Sequence, residues 1–403
     1  MKHRWPQRWM PMLWNALRNA IPPAAGLISS VVIIRTASLE VWGNYARYLI
    51  VIHFGVTFAN WGSRLYLLRA FSDQPQRWQE LWLTNIKTRL PLLILPIALM
   101  CTVVQANDAL PPLLLWFVCL FGIHAFEPAI IFHHRYILGI LNDLAGTAVF
   151  LGLSLWSSEM QHIHLIWATC MAALCRLIIL LIAWRNTFRL WFRVIAQWNQ
   201  LKHAWALAMQ NISGLLVSKM DTYSVAVLLP PSELGVYHIV MNVLSFLQAL
   251  PEFAISTQLK NLYRLQASHI RRMGLQSLFA GSLLTALGVV CLIGILWFIE
   301  DTRVPITALA VGFLFVLPMY VYLPYVHALL KQHKSIIVLR LSLIGALVNL
   351  TGNILFIPSL GLTGAIASAA LTQWLLLGAY VLQSGAPEQS VDRNTPLSEH
   401  EAI

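Results

Sequence analysis

The chain of 403 residues is far too apolar for a soluble protein, since 58% of its residues are hydrophobic and only 11% are charged. Ordinary soluble domains carry charge on about a quarter of their residues, so this composition excludes a chain that covers itself with polar surface in water. The net charge of +11 then indicates membrane orientation and contact with anionic lipids. No nucleic-acid partner is expected, because no soluble domain carries that charge.

Twelve apolar stretches follow one another along the chain, each of about the length that crosses a ~30 Å hydrocarbon core. Lipid satisfies no backbone hydrogen bond, so each stretch is predicted to be a helix and the fold class to be all-α and polytopic. The predicted spans are 12–34, 45–68, 90–104, 113–132, 136–156, 165–184, 205–229, 236–255, 275–299, 306–330, 336–357 and 365–382.

The spans are predicted to form two six-helix bundles related by a pseudo-two-fold repeat. The divisions are an N-terminal bundle at 1–184, an amphipathic interfacial linker helix at 185–203, a C-terminal bundle at 204–383 and a disordered cytoplasmic tail at 384–403. The repeat rests on two pairs, Gly43 with Gly235 and Tyr45 with Tyr237, whose members are 192 positions apart in each case. Transporters are commonly built from two such related halves.

Three basic segments between spans are predicted to lie on the inner leaflet. In the linker, Arg189, Arg193 and Gln197 recur every four residues while aromatic residues fill the opposite face, a pattern that predicts an amphipathic helix over 185–202. The segments 73–89 and 258–274 carry similar residues. For 258–274, a solvated basic loop is an equally good interpretation.

Loop charge predicts the orientation. If the N-terminus is cytoplasmic, most Lys and Arg residues fall in cytoplasmic segments, and the opposite loops hold only Arg35 and Arg303. Loops rich in Lys and Arg stay in the cytoplasm. Both termini are therefore predicted to be cytoplasmic.

Three short motifs carry a resemblance to a known family. They are Lys-Met-Asp at 219–221, Ser-Glu-Leu-Gly-Val-Tyr at 232–237, and Asn349 and Asn353 followed by Ile-Pro at 357–358 and Gly-Leu-Thr-Gly-Ala at 361–365. With these motifs and its layout, the chain resembles polysaccharide flippases of the Wzx type, within the multidrug/oligosaccharidyl-lipid/polysaccharide exporter superfamily.

This resemblance implies a multi-pass protein of the bacterial inner membrane that moves an undecaprenyl-diphosphate-linked oligosaccharide by alternating access. The cargo would be O-antigen or another repeat unit of a surface polysaccharide. The implied partners are this lipid-linked oligosaccharide, membrane lipids and other membrane proteins of polysaccharide assembly. No cofactor, metal or catalytic residue is expected, and the chain is not expected to be an enzyme.

Cations inside the spans are the candidate substrate-binding residues, because buried charge is costly and a diphosphate needs positive partners. The resemblance places helices one, two, seven and eight around the cavity, which selects Arg18, Arg47 and Lys219, with Arg18 as the expected partner of Lys219. For these three, the alternative is snorkelling to lipid headgroups. Arg176 is a fourth candidate, for which membership of a buried ion pair is an equal alternative.

Asp221 and Asp143 are the candidates for coupling to protons or sodium, because they are acids inside the spans. The alternative for each is a carboxylate that neutralises a neighbouring Arg. Asp221 is two residues from Lys219 and therefore points to a different face of the helix, which argues against a pair between them.

Two other functions remain open. A multidrug or small-molecule antiporter of the same superfamily would share the fold, but it would favour carboxylates over cations in the N-terminal half. A membrane polymerase or ligase of polysaccharide assembly would be expected to carry its active site on a large outer loop. Every outer loop here is about ten residues or shorter, which disfavours this enzyme.

Overall fold

The computed structural model describes the backbone of residues 6–104, 108–156, 160–262, 267–299, 304–332 and 334–384. It describes the side chains at 14–15, 17–102, 104, 108–156, 160–252, 274–299, 304–330, 332, 334 and 336–383. The predicted tail from 385 onward lies outside the described residues, as do residues 263–266 and most side chains of the predicted segment 258–274.

Every regular element in the described ranges is helical. The α-helices are α1 Pro6–Thr36, α2 Leu39–Asn60, α3 Ser63–Asp73, α4 Trp78–Arg89, α5 Ile94–Val103, α6 Leu110–Phe132, α7 Tyr136–Trp156, α8 His162–Ala183, α9 Asn199–Leu228, α10 Pro231–Leu262, α11 Ala267–Phe298, α12 Ile306–Lys331 and α13 Ser335–Ser384.

Nine helical segments of the described chain are long and apolar enough to cross a membrane. α2 and α9 have the length but are too polar to be counted among them. α13 is two helices that meet at Gly361, where a φ of 55° makes a kink. With α2, α9 and the second half of α13 included, the layout follows the twelve predicted spans. The prediction of an all-α, polytopic membrane protein is confirmed.

The helices form two lobes, α1–α8 (the N lobe) and α9–α13 (the C lobe). They meet mainly along α2 and α10, with contacts of α2 to α9 and of α1 to α10 beside them. Gly43 of α2 faces the backbone of Pro231, and Gly235 of α10 faces the backbone of Leu39. Leu39 and Pro231 are themselves 192 positions apart, so the repeat places equivalent residues in reciprocal contact. Small residues at such a crossing let two helix backbones approach closely.

The second predicted span, 45–68, is interrupted between α2 and α3. Trp61 and Gly62 both have left-handed backbones, with φ values of 46° and 66°. Gly62 lies against the backbone of Ala208 on α9, and the Trp61 indole donates to the Leu201 carbonyl at 3.0 Å. A Trp in this region is strained, and these contacts to the other lobe hold it there.

The third span begins earlier than predicted, and the prediction of an interfacial helix at 73–89 is wrong. α4 continues through a 3₁₀ turn at Leu90–Leu93 into α5, so residues 78–103 form one nearly continuous helical segment. The aromatic side chains of α4 pack into the N lobe and not toward headgroups: Trp82 is fully buried and donates to the Ala125 carbonyl at 2.6 Å. Arg89, expected at the inner leaflet, is consequently buried at the end of α4.

The linker between the lobes is not the single amphipathic α-helix predicted for 185–203. It is a 3₁₀ helix at Thr187–Arg193 followed by non-helical residues up to the start of α9. Its backbone is bound by α4: Lys87 donates to the Val194 carbonyl at 2.9 Å, and the Gln197 amide donates to Thr88 at 2.9 Å. These bonds to a neighbouring helix replace the bonds that a continuous linker helix would make within itself.

Candidate functional site

Arg18 belongs to a charge cluster inside the N lobe. Glu127 of α6 lies 3.8 Å from Arg18 of α1, 3.1 Å from Arg64 of α3 and 3.7 Å from His124 one turn earlier on α6. Arg18 is largely buried, with 12% of its side chain exposed. Its ion pair is thus with an acid of its own lobe, and among the described side chains it makes no hydrogen bond or ion pair with Lys219. The expected joint action of Arg18 and Lys219 on a diphosphate stays a prediction.

Arg176 of α8 and Asp143 of α7 form a hydrogen-bonded ion pair. Two glycines on the same face of α7 make room for the arginines on either side of Asp143. A side chain at Gly139 would run into Arg18, and one at Gly146 would run into Arg176. Both arginines act on Asp143, so this carboxylate links them into one N-lobe network. The structure thus places Arg176 and Asp143 in the arrangement of the ion-pair alternative.

Asp221 of α9 is buried, and hydroxyl and amide donors surround it. The Tyr237 hydroxyl of α10 donates to its carboxylate, and so does the Thr222 backbone amide at 2.8 Å. Among the described residues it forms no ion pair with an arginine or with Lys219, although Lys219 acts on it electrostatically. The neutralising partner expected in the alternative interpretation is replaced by neutral hydrogen-bond donors.

Among the four candidate cations Arg18, Arg47, Arg176 and Lys219, Lys219 is the one without a partner in the described structure. It makes no hydrogen bond or ion pair with any described residue, and its side chain is only half-buried. The two lobes are in contact at this level, because Phe54 of α2 and Tyr223 of α9 meet edge to face with ring centroids 6.5 Å apart. Lys219 therefore stands between the lobes without a counter-ion.

His53 of α2 precedes Phe54 in the chain, and its side chain is exposed. Like Lys219, it makes no hydrogen bond within the described chain. We call the region around Lys219, Phe54 and Tyr223 the interlobe space. His53 was not identified from sequence; the available signal was its position on a lobe-facing helix.

Arg47 lies toward the end of the lobes where Gly43 and Gly235 meet. Its guanidinium donates to the Leu229 carbonyl at 3.3 Å, which joins α2 to the loop between α9 and α10. Its buried Nε has no hydrogen-bond partner in the described structure. The structure places Arg47 at the closed end of the interlobe space, apart from the Arg18 cluster.

Four polar side chains form a cluster within the C lobe that was not predicted from the sequence. Asn353 of α13 donates to Ser224 of α9 at 3.2 Å and to Asn349 at 2.7 Å, and Ser368 donates to the Asn349 carbonyl at 2.8 Å. All four side chains are buried. The two asparagines were noted in sequence as parts of a motif, but their partners come from other helices. The cluster ties both halves of α13 to α9.

An apolar groove lies elsewhere on the C lobe, between α11 and α12, where Val289, Leu309 and Phe313 are among its lining residues. Its lining is hydrophobic throughout, so it offers no group to recognise a charged or sugar substrate. Among the described residues, the candidate substrate-binding and ion-coupling side chains lie in the N-lobe network and around the interlobe space.

No protein-family model matches the sequence, and no curated protein matches it either. Solved structures do match the fold. The chain is similar to a structure of the lipid II flippase MurJ in an inward closed conformation, with a TM-score of 0.68 and 10% identity over 92% of this chain and 87% of that one. It is also similar to an inward-facing multidrug resistance MATE transporter of the MOP superfamily, with a TM-score of 0.58 and 12% identity over 91% and 93%.

A third similar structure is a mutant of the MATE transporter VcmN of Vibrio cholerae, with a TM-score of 0.53 and 15% identity over 93% of this chain and 94% of that one. At such identities the likeness concerns the fold alone. It extends over nearly the whole length of this chain and of each similar structure. This chain is therefore a multi-pass membrane protein with the fold of MOP-superfamily transporters.

Proposed function

We propose that the chain translocates an undecaprenyl-diphosphate-linked oligosaccharide, an O-antigen or other surface polysaccharide repeat unit, by alternating access. The observation that carries the proposal is the unpaired Lys219 on α9, near the contact between the lobes at Phe54 and Tyr223. An uncompensated charge inside a membrane protein is costly, so its retention favours a ligand of opposite charge. The diphosphate of a lipid-linked sugar supplies that charge, and its glycan suits a solvent-accessible interlobe space.

The state of the acids favours an anionic over a cationic substrate. Glu127 is engaged by Arg18 and Arg64, Asp143 by Arg176, and Asp221 by Tyr237. None of these three carboxylates is free to bind a cationic drug in this conformation. A diphosphate, in contrast, finds a free cation in Lys219.

Four cations are proposed as substrate contacts, at different stages of the cycle. Lys219 is the first, because it is free. Arg18, Arg47 and Arg176 are bound to partners within or between lobes, so they are proposed to reach the diphosphate only after the lobes move. Bidentate guanidinium groups suit phosphate oxygens, which supports their assignment to this role.

Asp143 and Asp221 are proposed as the coupling carboxylates. Asp143 sits between two arginines, so protonation would release Arg18 and Arg176 from it. Asp221 bonds to Tyr237 on the next helix, so protonation or sodium binding would change the contact between α9 and α10. Transport into vesicles would be measured under a proton gradient and, separately, under a sodium gradient. The variants Asp143→Asn and Asp221→Asn would test the role of each carboxylate.

The alternative of a multidrug or small-molecule antiporter rests on Glu127 and Asp143, two acids in the N lobe that a shift in pairing would expose. A membrane polymerase or ligase is less well supported, because the solved structures with this fold are transporters. The site of action is proposed to be the bacterial inner membrane with both termini cytoplasmic. Other membrane proteins of polysaccharide assembly are proposed partners.

A binding screen of the purified full-length chain separates these functions. Native mass spectrometry in detergent would compare a short-chain prenyl diphosphoryl sugar, the same prenyl alcohol without phosphate, and a cationic dye. We expect the diphosphoryl sugar to bind and Lys219→Gln to weaken it, while Lys202→Gln on the exposed first turn of α9 should not. Binding of the dye alone would replace the flippase proposal with the antiporter.

A further inference from the structure

Arg89, the last residue of α4, is a buried cation whose charge no other side chain of the described structure compensates. Only 1% of the residue is exposed. Its Nη1 donates to the side-chain and backbone oxygens of Asn60 at 3.0 Å and 3.4 Å, and its Cζ lies 5.0 Å from the centre of the Phe121 ring. Both partners are neutral, and Arg89 forms no ion pair with any described side chain. An unpaired charge in a protein interior is costly.

The other edge of the Arg89 guanidinium carries two hydrogen-bond donors that the protein does not satisfy. Nε and Nη2 are both buried, and neither donates to a described residue. These two N–H groups lie side by side and point in the same direction, which is the geometry in which arginine holds an anion by two parallel bonds. Buried donors in folded proteins nearly always have a partner, so this edge points to a partner outside the chain.

The acids on the helices in contact with Arg89 do not supply that partner. α2, α4 and α6 each carry one, and these are Glu40, Glu80 and Glu127. The first is on the opening turn of α2, whereas Asn60 is its last residue. The second is in an exposed pair with Arg77. The third is engaged by Arg64 at 3.1 Å and by Arg18 at 3.8 Å.

We propose that the Nε and Nη2 edge of Arg89 binds a small monovalent anion of the chloride class inside the N lobe. A water molecule would satisfy the two donors but would leave the guanidinium charge unbalanced, whereas one negative charge neutralises it. Lys87, two residues earlier on α4, adds a further positive charge to this end of the helix. Full burial selects a small ion, because a phosphate diester or a lipid headgroup cannot reach this edge without exposing it. The site does not depend on the function proposed above.

An anion at Arg89 stabilises the junction between α2 and α3. Asn60, to which Arg89 donates, directly precedes Trp61, and the Trp61 indole donates to the Leu201 carbonyl of α9 at 3.0 Å. A neutralised guanidinium remains in the interior at lower cost, so it holds Asn60 more firmly. The anion therefore acts on the residues through which the N lobe binds the start of α9.

Thermal unfolding of the full-length chain in detergent tests the site, with chloride replacing gluconate at constant ionic strength. A ligand that binds only the folded state raises the melting temperature with the logarithm of its concentration once the site is filled. We expect this rise between about 1 mM and about 300 mM chloride, and a similar rise with bromide. Arg89→Met should abolish it. Arg69→Met, on the exposed face of α3, is the matched control and should respond as wild type.

Two further measurements keep the test specific to Arg89. Arg89→Lys keeps the positive charge but lacks the two parallel donors, so its response should require about tenfold more chloride. Hydrogen exchange at residues 57–62 should be slower in chloride than in gluconate for the wild type, and equal in the two salts for Arg89→Met.

Either of two results overturns the anion site. The first is a wild-type melting temperature that does not rise with chloride, which would leave water as the partner of the two donors. The second is a chloride response that persists in Arg89→Met, which would assign chloride to the exposed cations. If Arg89→Met does not fold, a response of Arg89→Lys equal to that of the wild type overturns the site in the same way.

Discussion

Gly43 and Gly235 meet where α2 crosses α10, and each of them is held against the backbone of the opposite helix. A methyl group on Gly235 would lie 2.5 Å from the Leu39 carbonyl oxygen and 3.5 Å from the Gly43 amide nitrogen. A methyl group on Gly43 would overlap the Pro231 carbonyl. Backbone atoms cannot move aside as a flexible side chain can, so the close approach of the two lobes depends on both glycines.

Gly43→Ala is expected to separate the lobes at this end. Overpacking of a tight contact costs about 1–3 kcal/mol, which favours conformations in which α2 and α10 stand apart. Spin labels at the exposed positions Glu40 and Ser232 would show a longer and broader distance distribution. Gly214→Ala is the matched control, because no atom lies near that glycine. An unchanged distribution in Gly43→Ala would contradict the role of the crossing.

Lys219→Ala is expected to abolish binding of a prenyl diphosphoryl sugar while membrane abundance stays near normal. No carboxylate among the described residues depends on Lys219 for an ion pair, so its removal leaves no uncompensated buried charge there. Lys219→Arg should retain part of the binding because the positive charge survives. Quantitative immunoblots and native mass spectrometry would measure both properties. A well-expressed Lys219→Ala protein with full binding would refute the proposed role of Lys219 in holding the diphosphate.

Asp143→Asn is expected to lower stability in detergent by roughly 2–4 kcal/mol, because Arg176 loses its partner in a mostly buried pair. The double variant Asp143→Asn/Arg176→Gln should recover much of this loss, since neither charge is then unpaired. Thermal unfolding of the four proteins in the cycle measures the coupling. The exposed pair Arg77 and Glu80, joined at 2.9 Å, provides a control whose removal should have little effect.

Arg89→Met is expected to destabilise the junction of α2 and α3. Arg89 donates to the Asn60 side chain at 3.0 Å, and its guanidinium lies 5.0 Å from the centre of the Phe121 ring. A cation at the last turn of a helix stabilises its free carbonyls, so its loss should allow α2 to fray next to Trp61. Hydrogen exchange at residues 57–62 would rise. Arg69→Met, on the exposed face of α3, should leave that exchange unchanged.

A fusion at Gln383 tests the orientation that loop charge predicts. We expect a fluorescent protein at this position to be bright and alkaline phosphatase to be inactive, because both report a cytoplasmic location. A control fusion in the loop after α1, near Arg35, should give the reverse result. Phosphatase activity at Gln383 would contradict both the orientation and the even number of crossings.

Sequence alone determined the all-α class and the polytopic membrane architecture. Hydrocarbon thickness sets the length of each apolar stretch, so a local window is enough to find it. Gly43 and Gly235 were recognisable because the repeat spaces them equally. The same reasoning failed where polar or aromatic residues pack inside a lobe. The aromatic face of α4 and its last residue, Arg89, were expected at the inner leaflet, but Trp82 and Arg89 are buried.

Tertiary structure alone decided which charges meet. Arg176 and Asp143 come from different helices and are 33 positions apart, and Arg64 and Glu127 are likewise on separate helices. Such pairs depend on how helices rotate and pack against one another, and hydropathy carries no information about that rotation. For the same reason, the lack of an ion pair at Lys219 became visible only when α9 was packed among the other described helices. An intramembrane charge can be found in a window of sequence, but whether it is neutralised depends on neighbours brought in from elsewhere in the chain.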